Sequence, residues 1–562
     1  MANLVKRIYN NFRGVDFRGN EINLLRSPDS LNMWKDYKET ESVRTRPKFK
    51  KNLTFDNTVY SIFFYSVGTT EMKLIHVGTK LIKVASNGTQ TVLYTGLNPA
   101  RSYAFVYNNI FYLKDGINYL EYDGETIKEV TGYVPTTTIG RKPNGGGTQY
   151  EDVNMLSNER INSFLSDGVS TEYYLDALEI DSTRQPEVKI DGMVIEASEY
   201  EVDFVKGKIT FAQAPKLPLT DGQDNVTIRF SKTVNGYKER INFCTMLQVF
   251  DNRVFFSGNP DYPNTIFHSS LNNPKYCSDL DYYSEGLDLA KVTGMVAGNN
   301  ALWVFKEPSQ ANTTVFYHNP AIDSDYGKIY PSVHSSITTG CVGGAINFND
   351  DIVFFSERGM EAINGDVTTE QLLAHRSTLV DRKLIAEADY KDMILEEYEG
   401  YLFVFIGNKV YLADSRAMFQ NENHYEYEWF YWELDIDVTC TVVKDGMLWV
   451  GTKDGIYTLS DFEANVVSHW TTPLDKFNNP QYMKTSNKRG CVVEALGDLT
   501  ISAKTNKGDW EEIESYENVT DYLVVKRKFK KFKDIQLKFS SSTRFSLEQA
   551  TFECFVGGYL KR

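Results

Sequence analysis

A chain of 562 residues with 41% hydrophobic side chains is too long for one compact core, so two or three domains are expected. Its formal charge of −15 argues against a free-standing duplex-DNA binder, although DNA can pass an acidic passage without sticking to it. Aromatic residues reach 14%, with 35 Tyr and 34 Phe, which favours pleated sheet.

The opening MANLVKRIYNNFRG lacks the apolar run of a secretory signal, so none is expected. Residues 1–50, including SPDSLNMWKDYKETESVRTRPKF, are polar and turn-rich. They supply either a closing strand to a larger unit or an arm to a neighbour. No stretch reaches the roughly 18 apolar residues of a membrane helix, so membrane insertion is not expected.

From residue 51 a hairpin keeps returning. Its polar pairs are Asn108-Asn109, Asp251-Asn252, Asn299-Asn300, Asp350-Asp351, Glu399-Gly400 and Asp445-Gly446. The strands leaving them read IFYL, RVFF, ALWV, IVFF, YLFV and MLWV. Asn, Asp and Gly tolerate the positive φ of two-residue hairpin turns. From Asp251 onward the steps are about 48, 51, 49 and 46 residues, and second Asp-Gly turns lie in 113–127 and 450–463. Four short strands per period of this length match a β-propeller blade. A looser unit at 59–86 brings the total to six or seven blades between residues 50 and 470.

The first step, from Asn108 to Asp251, is about 143 residues, one period plus a foreign module. The reading is therefore all-β: blades at 51–139 and 236–470, with an inserted β-sandwich at 140–235 behind a Pro/Gly-rich hinge, IGRKPNGGGTQYEDVN. The best helical signal is 376–395, where Leu379, Ile385, Ala388 and Ile394 share a face. Residues 471–562 break the period and read as a second sandwich-like β domain.

Chemistry is sparse. There is no P-loop, HExxH or GxSxG, and no GxGxxG follows a strand. The six Cys, at 244, 277, 341, 440, 491 and 554, lack zinc spacing and read as buried small hydrophobes. Asp279, Asp281, Glu285 and Asp288 resemble a calcium loop, but Gly286 falls too late for its turn. No catalytic, metal or cofactor residues are assigned. The cluster Tyr425–Trp432, YEYEWFYW, is either a sugar-stacking surface or a strand with one face in the core. The basic run Lys526, Arg527, Lys528, Lys530, Lys531 and Lys533 stands out in this acidic chain. Three readings compete: a solvated strand edge, a patch that docks an acidic protein, and a nucleic-acid contact.

Two segments carry a family resemblance. SPDSLNMW…TRPKF is similar to the start of phage tail nozzle and hub proteins, with Lys48 where that pattern usually has Gly. The insert resembles a phage module through Phe164, Asp167, Gly168, Thr171, Tyr173 and Leu175, then Val188, Asp191 and Gly192. The match continues through Tyr200, Val202, Asp203, Gly207, Ile209, Thr210, Phe211, Ala214 and Pro215. The resemblance implies a non-enzymatic virion component made in a bacterial host cytoplasm. It would form a homo-oligomeric ring, a hexamer in that family, between an adaptor above and a fibre, needle or spike below. Double-stranded DNA would be retained by the ring and pass through it on ejection. The alternative is a propeller that binds or cleaves host-surface glycans, and a plain cytoplasmic scaffold is third.

Overall fold

The computed structural model describes residues 3–19, 23–36, 42–309, 313–324, 327–364, 372–421 and 424–559. Seven four-stranded antiparallel sheets make up most of it. In chain order the blades lie at 59–95, 103–129, 246–284, 292–334, 345–375 and 394–433, numbered 1 to 6. Blade 7 combines three late strands, Cys440–Lys444, Met447–Gly451 and Gly455–Asp461, with the early strand Lys48–Thr54. That early strand pairs antiparallel with Gly455–Asp461, so the two ends of the repeat are hydrogen-bonded to each other and the ring is closed. The first strand of each blade packs beside the first strands of its two neighbours, all the way round. The chain is a seven-bladed β-propeller.

The turns explain why these strands pair as they do. Both residues of Asn108-Asn109, Asp251-Asn252, Asn299-Asn300, Glu399-Gly400 and Asp445-Gly446 have positive φ. This conformation matches the right-handed twist of the strands it joins. In blade 5 the turn is Asn349-Asp350, with φ of 52° and 61°, and not Asp350-Asp351. Asp351 already pairs with Phe348 as the first residue of the next strand. The expected helix at 376–395 is also corrected. Only Asp381–Leu384 is α-helical and Tyr390–Asp392 forms a 3-10 turn, while Ile394 begins the inner strand of blade 6. Leu379 and Leu384 are buried, but Ile385 is exposed, so the apolar face lasts barely one turn.

The insert leaves after the outer strand of blade 2, Ile127–Glu129, and returns to blade 3 through a short helix, Tyr237–Asn242. Its two sheets, of six and three strands, face each other across Phe164, Tyr173, Val188, Ile209, Phe211, Val226 and Phe230. Buried Asn154 bolts it to blade 3. Its Nδ2 donates to the carbonyls of Tyr133 and Lys275, and its Oδ1 accepts from the amides of Leu156 and Cys277.

After blade 7 the chain builds one ten-stranded antiparallel sheet that wraps around its own core. Three early strands join it: Asn3–Tyr9, Met33–Trp34 and Val43–Thr45. The 24-residue strand Tyr482–Thr505 runs through the whole module. It turns its course at Gly497, where φ is +94° and a Cβ would meet the Arg544 carbonyl oxygen at 2.4 Å. Phe403, Phe430 and Trp432 of blade 6 and Leu448 and Val450 of blade 7 share one apolar core with Val493, Ile501, Phe539 and Phe552 of this module. Each such side chain contributes roughly 1.5–3 kcal/mol when fully buried. A shared core of this kind makes propeller and C-terminal module one packed body.

Candidate functional site

Three regions collect the candidate residues: the channel of the propeller, the lock formed by the N-terminal arm, and the charged edge of the C-terminal module.

The hairpin turns place Asp251, Asp350, Glu399 and Asp445 at one mouth of the channel. Asp251 is paired with Lys328, and Lys444 bridges Asp445 and Glu71. At the other mouth, where the inner strands begin, a cavity of about 800 Å³ spans blades 2 to 6. Arg101, Lys291 and Lys391 line it together with Glu307, Glu357 and Asp392. On the inner strand of blade 6, burial raises the Glu396 carboxyl above its ordinary range. A hydrogen bond from Thr441 Oγ1 at 2.9 Å and the charge of Arg101 work in the opposite direction. Glu397 is exposed, and adjacent residues of a strand point to opposite faces, so these two carboxylates do not converge as an acid–base pair.

The arm carries the SPDSLNMW…TRPKF segment, and its residues are joints. Asn32 takes up φ of +57° and donates from Nδ2 to the Val467 carbonyl. Its Oδ1 accepts from Arg46 Nε and from the Glu433 amide, both at 2.9 Å. Arg46 also donates to the carbonyls of Pro47 and Glu433. Burial draws this guanidinium down to about 10. Trp34 stands edge-on to Trp432 at 5.3 Å between ring centres. Upstream, Arg26 grips Glu428 with two bonds of 2.7 Å, under the Phe419 ring. At Gly14, φ is +110° and a Cβ would fall 2.0 Å from the Trp429 carbonyl oxygen, so only glycine lets the arm lie against the outer strand of blade 6.

That outer strand, His424–Glu433, holds the aromatic cluster. Tyr427, Trp429 and Tyr431 pack into the core of blades 5 and 6, while Phe430 and Trp432 pack into the core shared with the C-terminal module. Tyr425 alone of these rings is exposed, which leaves no sugar-stacking platform. The acidic stretch is likewise dispersed. Asp279 accepts from Tyr237 and Glu285 faces His318, while Asp288 pairs with Lys306. Among the described residues, no group of three or more His, Cys, Asp or Glu is arranged to hold a metal ion. All six Cys are buried and free, and burial pushes the Cys244, Cys440 and Cys491 thiols up to about 12.

The basic run lies beside the N-terminal half of Tyr482–Thr505, with Lys530–Phe532 as a short strand along it. Phe529 and Phe532 turn inward onto Phe552, and all six cations remain exposed. Arg527 pairs with Glu511. Lys526, Lys528, Lys530, Lys531 and Lys533 have no ion-pair partner among the described residues. Sequence reasoning missed the group that anchors them, Lys484. Its buried Nζ donates to the carbonyls of Asn479, Tyr482 and Lys533 at 2.6–2.9 Å, with burial lowering its pKa. Three neutral acceptors in place of a carboxylate are what a buried ammonium needs and what sequence does not reveal.

No protein-family model and no curated protein matches the sequence. Solved structures similar to the chain include BamB from Moraxella catarrhalis, at 10% identity and TM-score 0.33, covering 73% of this chain and 96% of that one. A virginiamycin B lyase from Staphylococcus aureus aligns at 10% identity and TM-score 0.32, over 73% and 98%. An exo-β-1,3-galactanase from Phanerochaete chrysosporium aligns at 8% identity and TM-score 0.22, over 94% and 99%. The propeller assignment rests on the sheet order described above.

Proposed function

We propose that this protein is a non-enzymatic wall component of a phage tail, of the nozzle or hub kind, that assembles as a ring and continues the DNA conduit. The observation that carries the structural role is the continuous core joining blades 6 and 7 to the C-terminal module. It makes one packed body that presents exposed cations without an ion-pair partner among the described residues. The tail assignment draws on the two resembling segments, which in this fold are the Asn32–Arg46 joint and the core and turns of the insert. In this reading the duplex passes through the centre of the ring of subunits, repelled by the chain's net charge of −15. The protein is made in the host cytoplasm and resides in the virion, between an adaptor above and a fibre, needle or spike below. A hexamer is the ring size the resemblance suggests.

Negative-stain imaging of the purified protein with its tail partners tests this. Rings stacked on those partners are expected. Monomers only, together with hydrolysis of a surface polysaccharide, would overturn it. That outcome belongs to the second reading, a glycan-binding or glycan-cleaving propeller.

A further inference from the structure

The charged edge is larger than the basic run and has two signs. Ser486 and Phe529 are joined by two hydrogen bonds, which puts the bulge of Tyr482–Thr505 with exposed Lys488 and Arg489 beside Lys526–Lys528. At the other end Lys533 donates its amide to Asn506 Oδ1, which brings exposed Lys507 alongside. None of these three added cations has an ion-pair partner among the described residues. The segment 509–521 carries Asp509, Glu511, Glu512, Glu514, Glu517 and Asp521, and no base. Among the described residues its strand Glu511–Val519 is paired on one side only, with the C-terminal half of Tyr482–Thr505. One module therefore presents a cationic end and, on the same edge, an open acidic strand.

We infer that the cationic end of one copy docks on the acidic edge strand Glu511–Val519 of a second copy. This rests on the ring-forming reading above and names the contact that would build the ring. Where the cationic end of each copy docks on a different neighbour's acidic strand, the contact is heterologous and propagates head to tail, the geometry that closes into rings. An open strand edge supplies unpaired backbone donors and acceptors, and the opposite charges set register and partner choice. Nucleic acid is the poorer occupant. The two rings within the run, Phe529 and Phe532, are buried and offer no stacking platform.

The test uses the full chain and sedimentation velocity as salt is raised from about 0.05 M to about 0.5 M, which shortens the screening length severalfold. Wild type is expected to assemble at low salt and dissociate at high salt. Lys530→Glu with Lys531→Glu is expected to weaken assembly at least about tenfold, and Glu512→Lys with Glu517→Lys to do the same. Far-UV circular dichroism should be unchanged in both. Placing all four substitutions in one chain restores the complementarity, so assembly should return. Wild type that stays monomeric, variants that assemble like wild type, or a fourfold variant that fails to recover would each overturn the inference. So would retention of a short DNA duplex by wild type that is lost in the lysine variants. Ring assembly through an unaffected surface would sink this contact and leave the tail reading standing, whereas failure to join tail partners would sink the tail reading.

Discussion

At His375 the fold sets the charge of a side chain. Burial works against charging this imidazole, but Asp381 Oδ2 lies 2.6 Å from Nε2 and Glu361 Oε1 3.3 Å from Nδ1. The two carboxylates prevail and raise it to about 10. A group charged more readily folded than unfolded stabilises fully below its unfolded pKa of about 6.5, and that stability is lost as pH climbs through the folded value. His375→Gln should therefore lower the melting temperature most near pH 6 and least near pH 10. A difference that stays constant across that range would refute it. His76 and His268 behave oppositely. Burial lowers both to about 4, so each contributes above about pH 6.5 and loses that contribution on acidification. None of this was legible in a sequence with seven scattered His, because each pKa is set by groups brought in from elsewhere.

At the scale of elements, the hairpins were legible because positive φ at Asn, Asp and Gly is a local property of two residues. Blade 5 shows the limit. Asn349, Asp350 and Asp351 are three turn-forming residues in a row, and only strand register decides which pair turns. Asp350 occupies the turn at φ of 61°, whereas Asp351 Oδ2 accepts from Arg376 Nε at 2.9 Å and from the Tyr427 hydroxyl at 3.2 Å. Asp350→Gly should then change stability by less than about 0.5 kcal/mol. Asp351→Ala, which removes the carboxylate partner of the largely buried Arg376 guanidinium, should cost about 2–4 kcal/mol. Urea unfolding of both variants checks this, and equal effects would refute the assigned turn. The basic run was likewise visible as a string of charges. Its extension through Lys488, Arg489 and Lys507 was not, since these lie apart in sequence and meet only through strand pairing.

At the scale of the whole molecule, closure is the decisive feature. The pairing of Lys48–Thr54 with Gly455–Asp461 joins residues some 400 positions apart, and the strands just before it enter the C-terminal sheet. Removing residues 1–54 should open the ring between blades 1 and 7 and replace a single cooperative unfolding transition by an earlier, broader one. Limited proteolysis and a calorimetric scan read this directly, and an unchanged transition would show that closure contributes little.

The sequence by itself determined the repeat, its interruption and the sandwich character of the insert, because turn chemistry and period-2 alternation act over a few residues. It also offered residues 1–50 as a closing strand or an arm without choosing between them. Only the tertiary structure decided that there are seven blades, that the first 54 residues divide between the closing blade and the C-terminal sheet, and that Asn32 and Arg46 are a joint. It also decided that the aromatic cluster is core. The physical reason is that ring closure, burial and charge pairing depend on partners far apart in the chain, and no local pattern encodes which of them will meet.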